Sequence, residues 1–363
     1  MEAHLQGNSQ VKEKKMITRR NLLKGAALGT GVGLLTSQPF SFGGIMAAQA
    51  AGRALKMNIP GNTLGVHVPY MAAMNEILPS MGYAKADWER VKKLQTITQS
   101  ILSGSVEVAA GDAISTLRAV EAGADLRIIG NGFMHTSLVF VVNGDKIQKP
   151  EDLYKDDVTL AVNSKGDFTH VMVVGPMTRR GIDMNKVNVI KMGGSGTRMR
   201  ALAAGKVDGV PLHFDQASAL AKQGNFKVLI EPAKEYESFL GEVYICSGEW
   251  LAKDDNRTAA KDLIKATIQA FRRANSDAGW YAEMYRKYGT SKDMATATDA
   301  EIEVVRQALG VEIGCWPNNM DHKLSVYEEL LPVYKAADAI KGTVDVSKVV
   351  ETSLVDQALK ELG

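Results

Sequence analysis

Apolar positions along the chain follow two spacings that alternate with each other. Short apolar runs are bounded by polar turns, and between them apolar residues recur every three or four positions. The first pattern is typical of buried strands and the second of amphipathic helices. Such alternation favours an α/β fold with parallel pairing and right-handed crossovers. The runs predict strands at residues 55–59, 89–92, 106–109, 126–130, 138–142, 158–162, 187–191, 209–212, 227–230 and 243–246.

Two segments, 101–107 and 202–208, carry nearly the same pattern. Each reads as a helix end, a glycine, one variable residue, a valine and an acid. Glycine is favoured just past a helix end because it adopts the left-handed backbone at little cost. Each copy continues into a short strand and a polar turn that begins another helix. The repeat predicts two similar α/β lobes, and chance recurrence within one α/β protein is the alternative.

The order of the elements predicts how the chain divides between the lobes. A second series of strands and helices begins near residue 149 and returns with the last predicted strand. We therefore expect a discontinuous lobe 1 at 51–146 and 240–363, and a continuous lobe 2 at 147–239. Connecting segments near 143–152 and 233–242 would form a two-segment hinge. The C-terminal part reads as additional helices.

The N-terminus carries the pattern of a twin-arginine export signal over residues 1–50. Arg19 and Arg20 precede a short, glycine-diluted apolar stretch, and Ala48-Gln49-Ala50 offers a small-residue cleavage site. The apolar stretch is too short to remain in a bilayer. These features predict a soluble protein exported to the periplasm, with a cytosolic basic tail as the alternative.

Charge and composition exclude several function classes. Residues 1–50 hold six of the 43 Lys and Arg and two of the 41 Asp and Glu, which leaves 37 basic against 39 acidic residues. No basic stripe for nucleic acid remains. Metal-ligand spacings, a nucleophile elbow and a dinucleotide loop are also missing from the sequence, so neither an enzyme nor a cofactor is predicted. The two cysteines, Cys246 and Cys315, could form a disulfide or remain buried thiols.

Four segments together resemble one known family. They are 102–110, the turn into a strand at 122–127, Lys-Pro-Glu-Asp-Leu at 149–153, and 201–210. In order and spacing they resemble the solute-binding proteins of ABC importers, in the group that binds nitrate, sulfonates, taurine and thiamine precursors. The resemblance implies a two-lobed type II periplasmic-binding-protein fold, each lobe a mostly parallel sheet flanked by helices. It also implies a small-molecule ligand, a membrane permease as partner, and a monomer.

The polar turns after the predicted strands are the candidate ligand site. In open parallel sheets ligands bind beyond the carboxyl ends of the strands, where helix N-termini present free amides. By resemblance these turns match the family's ligand-contacting positions. The candidate residues are Asn62, Thr63, His67, Gly111, Asp112, Ser115, Ser164, Asp167, Phe168, Thr169, Gly194, Ser195, Thr197, Arg198, His213, Phe214 and Asp215.

Most of these residues have a structural alternative. Asp112, Asp167 and Asp215 fall near helix starts, where capping is the simpler role; facing the cleft, they would favour ligands with N–H or ammonium groups. Ser164, Thr169, Ser195 and Thr197 could cap helices or bind ligand. His67 and His213 could bind a carboxylate or a metal. Phe168 and Phe214 could stack on a flat ligand or belong to the core.

The loop around Gly194 decides the expected ligand. Its amides would face an anionic head group, with Arg198 one turn inside the helix as a charged partner; the alternative is a flexible connection. We expect a small organic anion, of sulfonate or carboxylate type. A pyrimidine, another heteroaromatic or an amine-bearing solute is the alternative ligand, and a sensory ligand-binding subunit is the alternative role.

Overall fold

The structure is a computed structural model that describes residues 52–91, 94–236 and 238–363. The expected export signal at 1–50 lies outside the described residues and stays a prediction. No helix among the described residues is both long and apolar enough to span a membrane.

The strands agree closely with the apolar runs. In chain order they are β1 Lys56–Pro60, β2 Asp87–Val91, β3 Val108–Gly111, β4 Leu126–Phe133, β5 Leu138–Asn143, β6 Leu160–Val162, β7 Val189–Lys191, β8 Gly209–His213, β9 Phe226–Ile230 and β10 Glu242–Ser247.

Helices occupy the stretches between them. They are α1, which runs from Val68–Ala72 through a wide turn at Ala73–Ile77 to Leu78–Ser80, α2 Leu94–Leu102, α3 Ala113–Glu121, α4 Phe168–Arg179, α5 Ser195–Ala203, α6 Phe214–Ala221, α7 Pro232–Glu235, α8 Gly248–Leu251, α9 Asp254–Ser276, α10 Ala278–Tyr288, α11 Lys292–Thr296, α12 Asp299–Gln307, continued by a wide turn at Ala308–Glu312, α13 Leu324–Ala336 and α14 Ser353–Leu362. Short 3₁₀ turns lie at Gly65–His67, Pro150–Tyr154, Met184–Lys186 and Val346–Lys348.

The strands form two sheets with the same topology, which confirms the two-lobed α/β fold. Lobe 1 has the order β2-β1-β3-β10-β4 and lobe 2 the order β7-β6-β8-β5-β9. Pairing within β2-β1-β3 and within β7-β6-β8 is parallel. In each sheet one antiparallel strand, β10 or β5, comes from a chain segment that crosses between the lobes. Both sheets are therefore mixed, with the crossing strand in the same position.

The repeated pattern occupies equivalent places in the two sheets. It joins α2 to β3 in lobe 1 and α5 to β8 in lobe 2, so both copies precede the third strand of the series. The shared glycines, Gly104 and Gly205, have φ values of 68° and 66°. Each lies just past a helix end in the left-handed conformation, as the sequence predicts.

The crossings between the lobes differ from the expected hinge. β5 pairs with β8 and β9, so the first crossing lies at residues 134–137 and not near 143–152, and residues 138–146 do not belong with lobe 1. An apolar run carries no information about which sheet it joins, and for this reason the prediction was wrong. The second crossing lies at 231–241.

The C-terminal helices also divide differently from the prediction. α9, α10 and α14 pack with the lobe 1 core, which includes the buried side chains of Phe271 and Trp316. α13 instead lies against α4 of lobe 2, where a Cβ on Gly175 would meet Val333. Assigning all of residues 240–363 to lobe 1 was therefore too simple.

Cys246 and Cys315 are both buried and free. Burial raises the pKa of the Cys246 thiol to about 12, and raises that of Cys315 as well. Of the two expected states, the structure has the buried thiols.

Candidate functional site

A cavity of about 100 Å³ lies between the two lobes, lined by residues of both. One ordered water needs roughly 10–15 Å³ measured in this way, so the cavity has room for one small solute. About half of the expected site residues line it: Asn62, His67, Asp112, Phe168, Thr169, Gly194, Ser195, Arg198 and His213.

Strand direction explains why these residues meet. β1, β3, β6, β7 and β8 run toward the cavity, so the turns that follow them reach it at the carboxyl edge of each sheet. Two hydrogen bonds outside the cavity lining join the lobes. The main-chain amide of Gly65 donates to Asp215 Oδ2 at 3.4 Å, and Arg118 Nη1 donates to the Gly166 carbonyl at 3.1 Å.

Arg198 is a buried cation on the lobe 2 side of the cavity, with 2% of its surface exposed. Nε and Nη2 donate to the Pro211 carbonyl at 3.1 and 3.0 Å, and Nη1 donates to the Gly193 carbonyl. Two guanidinium N–H groups remain, because arginine carries five donors. No carboxylate oxygen of the described chain lies within 4.0 Å of its guanidinium, although the charge of Asp167 acts on it and raises its pKa against the larger effect of burial. Burial lowers the pKa of Arg198 to about 10, so it is charged at neutral pH.

Three of the helices that begin at the cleft, α3, α4 and α5, differ in how they are capped. Asp112 caps α3 by accepting from the Ser115 amide at 2.7 Å, and Asp167 caps α4 by accepting from the His170 amide at 3.0 Å. Gly194 is the N-cap residue of α5, and no side chain caps this helix. Its first amides are therefore free beside Arg198. Capping, the simpler role, is confirmed for Asp112 and Asp167.

Burial raises the pKa of both capping aspartates. It raises the pKa of Asp112, and it raises that of Asp167 to about 6, with a smaller contribution from the charge of Asp112. One oxygen of each carboxylate, Oδ2, is buried without a hydrogen-bond partner among the described residues. Asp112 lines the cavity, whereas Asp167 is fully buried behind Thr169, whose hydroxyl donates to it at 2.7 Å.

A hydrogen-bonded group that the sequence did not reveal lies on the lobe 1 side. Glu242 lines the cavity and accepts from His67 Nε2 at 3.3 Å and from the Tyr70 hydroxyl at 3.2 Å. The His67 ring also lies edge-on to that of His213, with ring centres 5.4 Å apart. Burial lowers the pKa of His213 well below its usual range, so this ring is neutral.

The remaining expected residues do not line the cavity. Thr63 and Gly111 make contacts within lobe 1, and Asp215 makes a contact between the lobes. The Thr63 hydroxyl accepts from Arg90 at 2.6 Å, and Asp215 bonds to Gly65 across the cleft and does not cap its helix. Gly111 packs against β10, where a Cβ would meet Ile245 at 2.7 Å.

Four other expected residues also lie outside the lining of the cavity. Phe214 packs against the lobe 1 core, and Thr197 is exposed. Ser164 lies on a separate groove outside the cleft, and Ser115 Oγ is buried one helical turn past Asp112. Phe168 belongs to the core, where it packs edge-on to Phe239 with ring centres 5.8 Å apart, and it also lines the cavity; its stacking on a ligand stays a prediction.

The residues that sequence reasoning missed come from the crossings and the strand ends. They are Pro60, Gly61, Leu64, Val91, Phe133, Thr136, Leu138, Gly241 and Glu242, whereas Asn163, which also lines the cavity, begins one of the polar turns that the sequence indicates. Leu138 and Glu242 begin the two antiparallel strands, and they pair with His213 and Phe133. The sequence signal for Glu242 was its position as an acidic residue directly before the apolar run at 243–246.

Neither histidine forms part of a metal site among the described residues, where no group of three or more His, Cys, Asp or Glu could hold a metal ion.

Comparison with known proteins identifies the family. The model described as NMT1/THI5 like matches residues 91–278, which is more than half of the chain. The chain belongs to the NMT1/THI5-like family. Comparison with curated protein sequences gives no match.

Solved structures share the fold of this NMT1/THI5-like protein at low sequence identity. The periplasmic nitrate-binding protein NrtA from Synechocystis PCC 6803 superimposes with a TM-score of 0.70 at 12% identity, covering 86% of this chain and 89% of NrtA. The alkanesulfonate-binding protein SsuA from Xanthomonas axonopodis pv. citri, bound to MOPS, gives 0.63 at 16%, covering 84% and 99%. A zinc-bound ligand-binding component of an ABC-type import system from Staphylococcus aureus gives 0.65 at 14%, covering 84% and 99%.

Proposed function

We propose that this protein is a periplasmic solute-binding protein that captures a small organic anion, of sulfonate or carboxylate type, and delivers it to an ABC importer. It has no catalytic role in this proposal. The general role is supported by the fold it shares with NrtA and SsuA, which by name bind nitrate and alkanesulfonate, and with a ligand-binding component of an ABC-type import system. The leader pattern at residues 1–50 supports export.

One observation carries the choice of an anion. Arg198 is buried on the cavity wall without an ion-pair partner in the described chain, beside the uncapped N-terminus of α5. A buried cation is costly unless an opposite charge compensates it. Free amides at a helix start add a partial positive charge at the same place. An anionic head group would satisfy both.

Binding is coupled to closure in this proposal. The cavity walls come from both lobes, so a ligand completes its contacts only when the lobes meet. It then favours the closed state by the difference between its affinities for the closed and open states. The closed lobes would present a surface for the permease.

Replacing Arg198 tests the proposal. We expect Arg198→Ala to weaken binding of a sulfonate or carboxylate at least about tenfold, since hydrogen bonds to charged groups contribute roughly 1.5–3 kcal/mol. Isothermal titration calorimetry on the mature chain, after a thermal-shift screen of small anions, measures this.

Arg200→Ala is the matched control. Arg200 lies on the same helix, is exposed, and only reaches the Thr197 hydroxyl at 3.4 Å. Arg198→Lys separates charge from geometry, and circular dichroism shows whether each variant is folded. Equal affinities for wild type and a folded Arg198→Ala variant would refute the anion site. Stabilisation of wild type by amines alone would favour the amine-bearing alternative.

A further inference from the structure

Glu242 is a carboxylate on the cavity wall that anion capture does not use. It begins β10, and its side chain is 12% exposed. The register places Val243 opposite Gly111 and Glu242 opposite Phe133. Because β10 is antiparallel to β3 and β4, its first residue lies at the edge where they end. Glu242 therefore shares this end of the cavity with Asp112, the residue after Gly111.

Both groups that donate to Glu242 are neutral. The Leu64 amide donates to His67 Nδ1 at 3.0 Å, so this nitrogen carries no proton. His67 is then the neutral tautomer that donates through Nε2. The second donor is the Tyr70 hydroxyl, whose pKa burial raises well above its usual value. These hydrogen bonds orient the carboxylate without neutralising it.

The described chain supplies no cation close enough to pair with Glu242 apart from the His67 ring. Arg90 donates to the Thr63 hydroxyl and lies over the Trp88 ring, with its guanidinium carbon 4.7 Å from the ring centre. Arg198 donates to the carbonyls of Pro211 and Gly193 on the other lobe. Neither arginine is within 4.0 Å of Glu242. A carboxylate on one wall and a guanidinium on the other thus remain unpaired.

We propose that the ligand is dipolar, with its anionic head at Arg198 and an ammonium or N–H donor group at Glu242. This inference rests on the proposed function and adds a second recognition point to it. One small ligand carrying both charges compensates both walls, whereas a simple anion leaves Glu242 uncompensated. Asp112 lines the same end of the cavity and adds acceptor capacity there, through a buried oxygen without a partner in the described chain.

Matched probes with and without an amine test the inference in wild type. The pairs are ethanesulfonate with 2-aminoethanesulfonate, and propionate with 3-aminopropionate. We expect the amino member of at least one pair to bind ten times more tightly or better, as for one charge-assisted hydrogen bond. Equal or tighter binding of the member without the amine, in both pairs, would overturn the inference.

Glu242→Gln tests the residue, because glutamine keeps the shape and an acceptor oxygen. We expect the preference for the amino member to fall toward one, while a folded variant still binds the anion. Glu107→Gln is the matched control: this half-buried carboxylate pairs with Arg53 at 2.7 Å, away from the cavity, so the preference should stay. An unchanged preference in folded Glu242→Gln protein would overturn the assignment.

Ethylamine separates this inference from the proposed function. If ethylamine binds as tightly as the amino acids and Arg198→Ala has no effect, the anion proposal fails while recognition at Glu242 stands. If all the anions bind and the amino group does not increase their affinity, the anion proposal stands and the dipolar ligand is excluded. If neither the anions nor the amine binds, both fail.

Discussion

The buried cap at Asp167 makes stability depend on pH in an unusual direction. Its pKa is raised from 3.8 to about 6, first by burial. Between these values the folded protein keeps a proton that the unfolded chain has lost. Stability therefore falls as pH rises through this window, which is the reverse of the ordinary salt-bridged carboxylate. We expect Asp167→Asn to remove this dependence, since asparagine caps helices equally well and carries no charge.

The magnitude follows from the shift of about two pKa units. At 1.36 kcal/mol per unit, the destabilisation by the Asp167 charge grows from less than about 1 kcal/mol at pH 4 to about 3 kcal/mol above pH 7. The amide of the variant is left without a partner at the buried Oδ2 position, which adds a cost that does not vary with pH. The expectation therefore concerns how the difference in unfolding free energy between variant and wild type changes with pH, by about 2–3 kcal/mol from pH 4 to pH 8.

Urea unfolding of the unliganded mature protein at several pH values between 4 and 8 measures the difference. Asp277→Asn is the matched control, because Asp277 also caps a helix but its side chain is 44% exposed, and its pKa is lowered, first by the hydrogen bond from the Trp280 amide. Asp277 therefore stabilises the fold at pH values above its unfolded pKa, and this stabilisation is lost as pH falls. The unfolding free energies of the two variants, each relative to wild type, should therefore change with pH in opposite directions. A pH-independent difference for Asp167→Asn would refute the reasoning.

Two further predictions concern the fold. Gly104→Ala and Gly205→Ala should each lower the free energy of unfolding by about 1–2 kcal/mol, because both residues have positive φ and nothing lies within 4 Å of an added Cβ; clearly unequal losses in urea unfolding would argue against equivalent roles for the repeated units. Cys246 and Cys315 should react with a thiol reagent such as DTNB only on unfolding, since both are fully buried, and rapid labelling of native protein would contradict their burial.

The sequence predicted the parts of this structure that local patterns determine. The strands, the paired glycines at 104 and 205, and the turns after the parallel strands all follow from residue spacing and backbone preference. Arg198 could be placed beside a helix start in the same way. Each of these inferences needs only a few neighbouring residues.

Contacts between distant segments were out of reach of such patterns. Asp215 falls at a helix start, where capping is favoured, yet it bonds to Gly65 of the other lobe. β5 reads as a strand, but only its pairing with β8 and β9 shows that it belongs to lobe 2. Glu242 precedes an apolar run, and its donors His67 and Tyr70 lie more than 170 positions earlier.

The topology gives a general reason for what was missed. In each sheet the strand from the crossing is inserted antiparallel beside the third strand, so it begins at the edge where the parallel strands end. Its first residue must then reach the cleft: Glu242 opposite Phe133 in lobe 1 and Leu138 opposite His213 in lobe 2. The rule that ligands meet the carboxyl ends of strands omits these two positions, because both lie at amino ends. One is acidic and the other apolar, so the acid lines the cavity from lobe 1 while Arg198 lines it from lobe 2. The same segments that connect the lobes thus line the site between them, and a change at Glu242 can alter what the cavity accepts without touching any helix start.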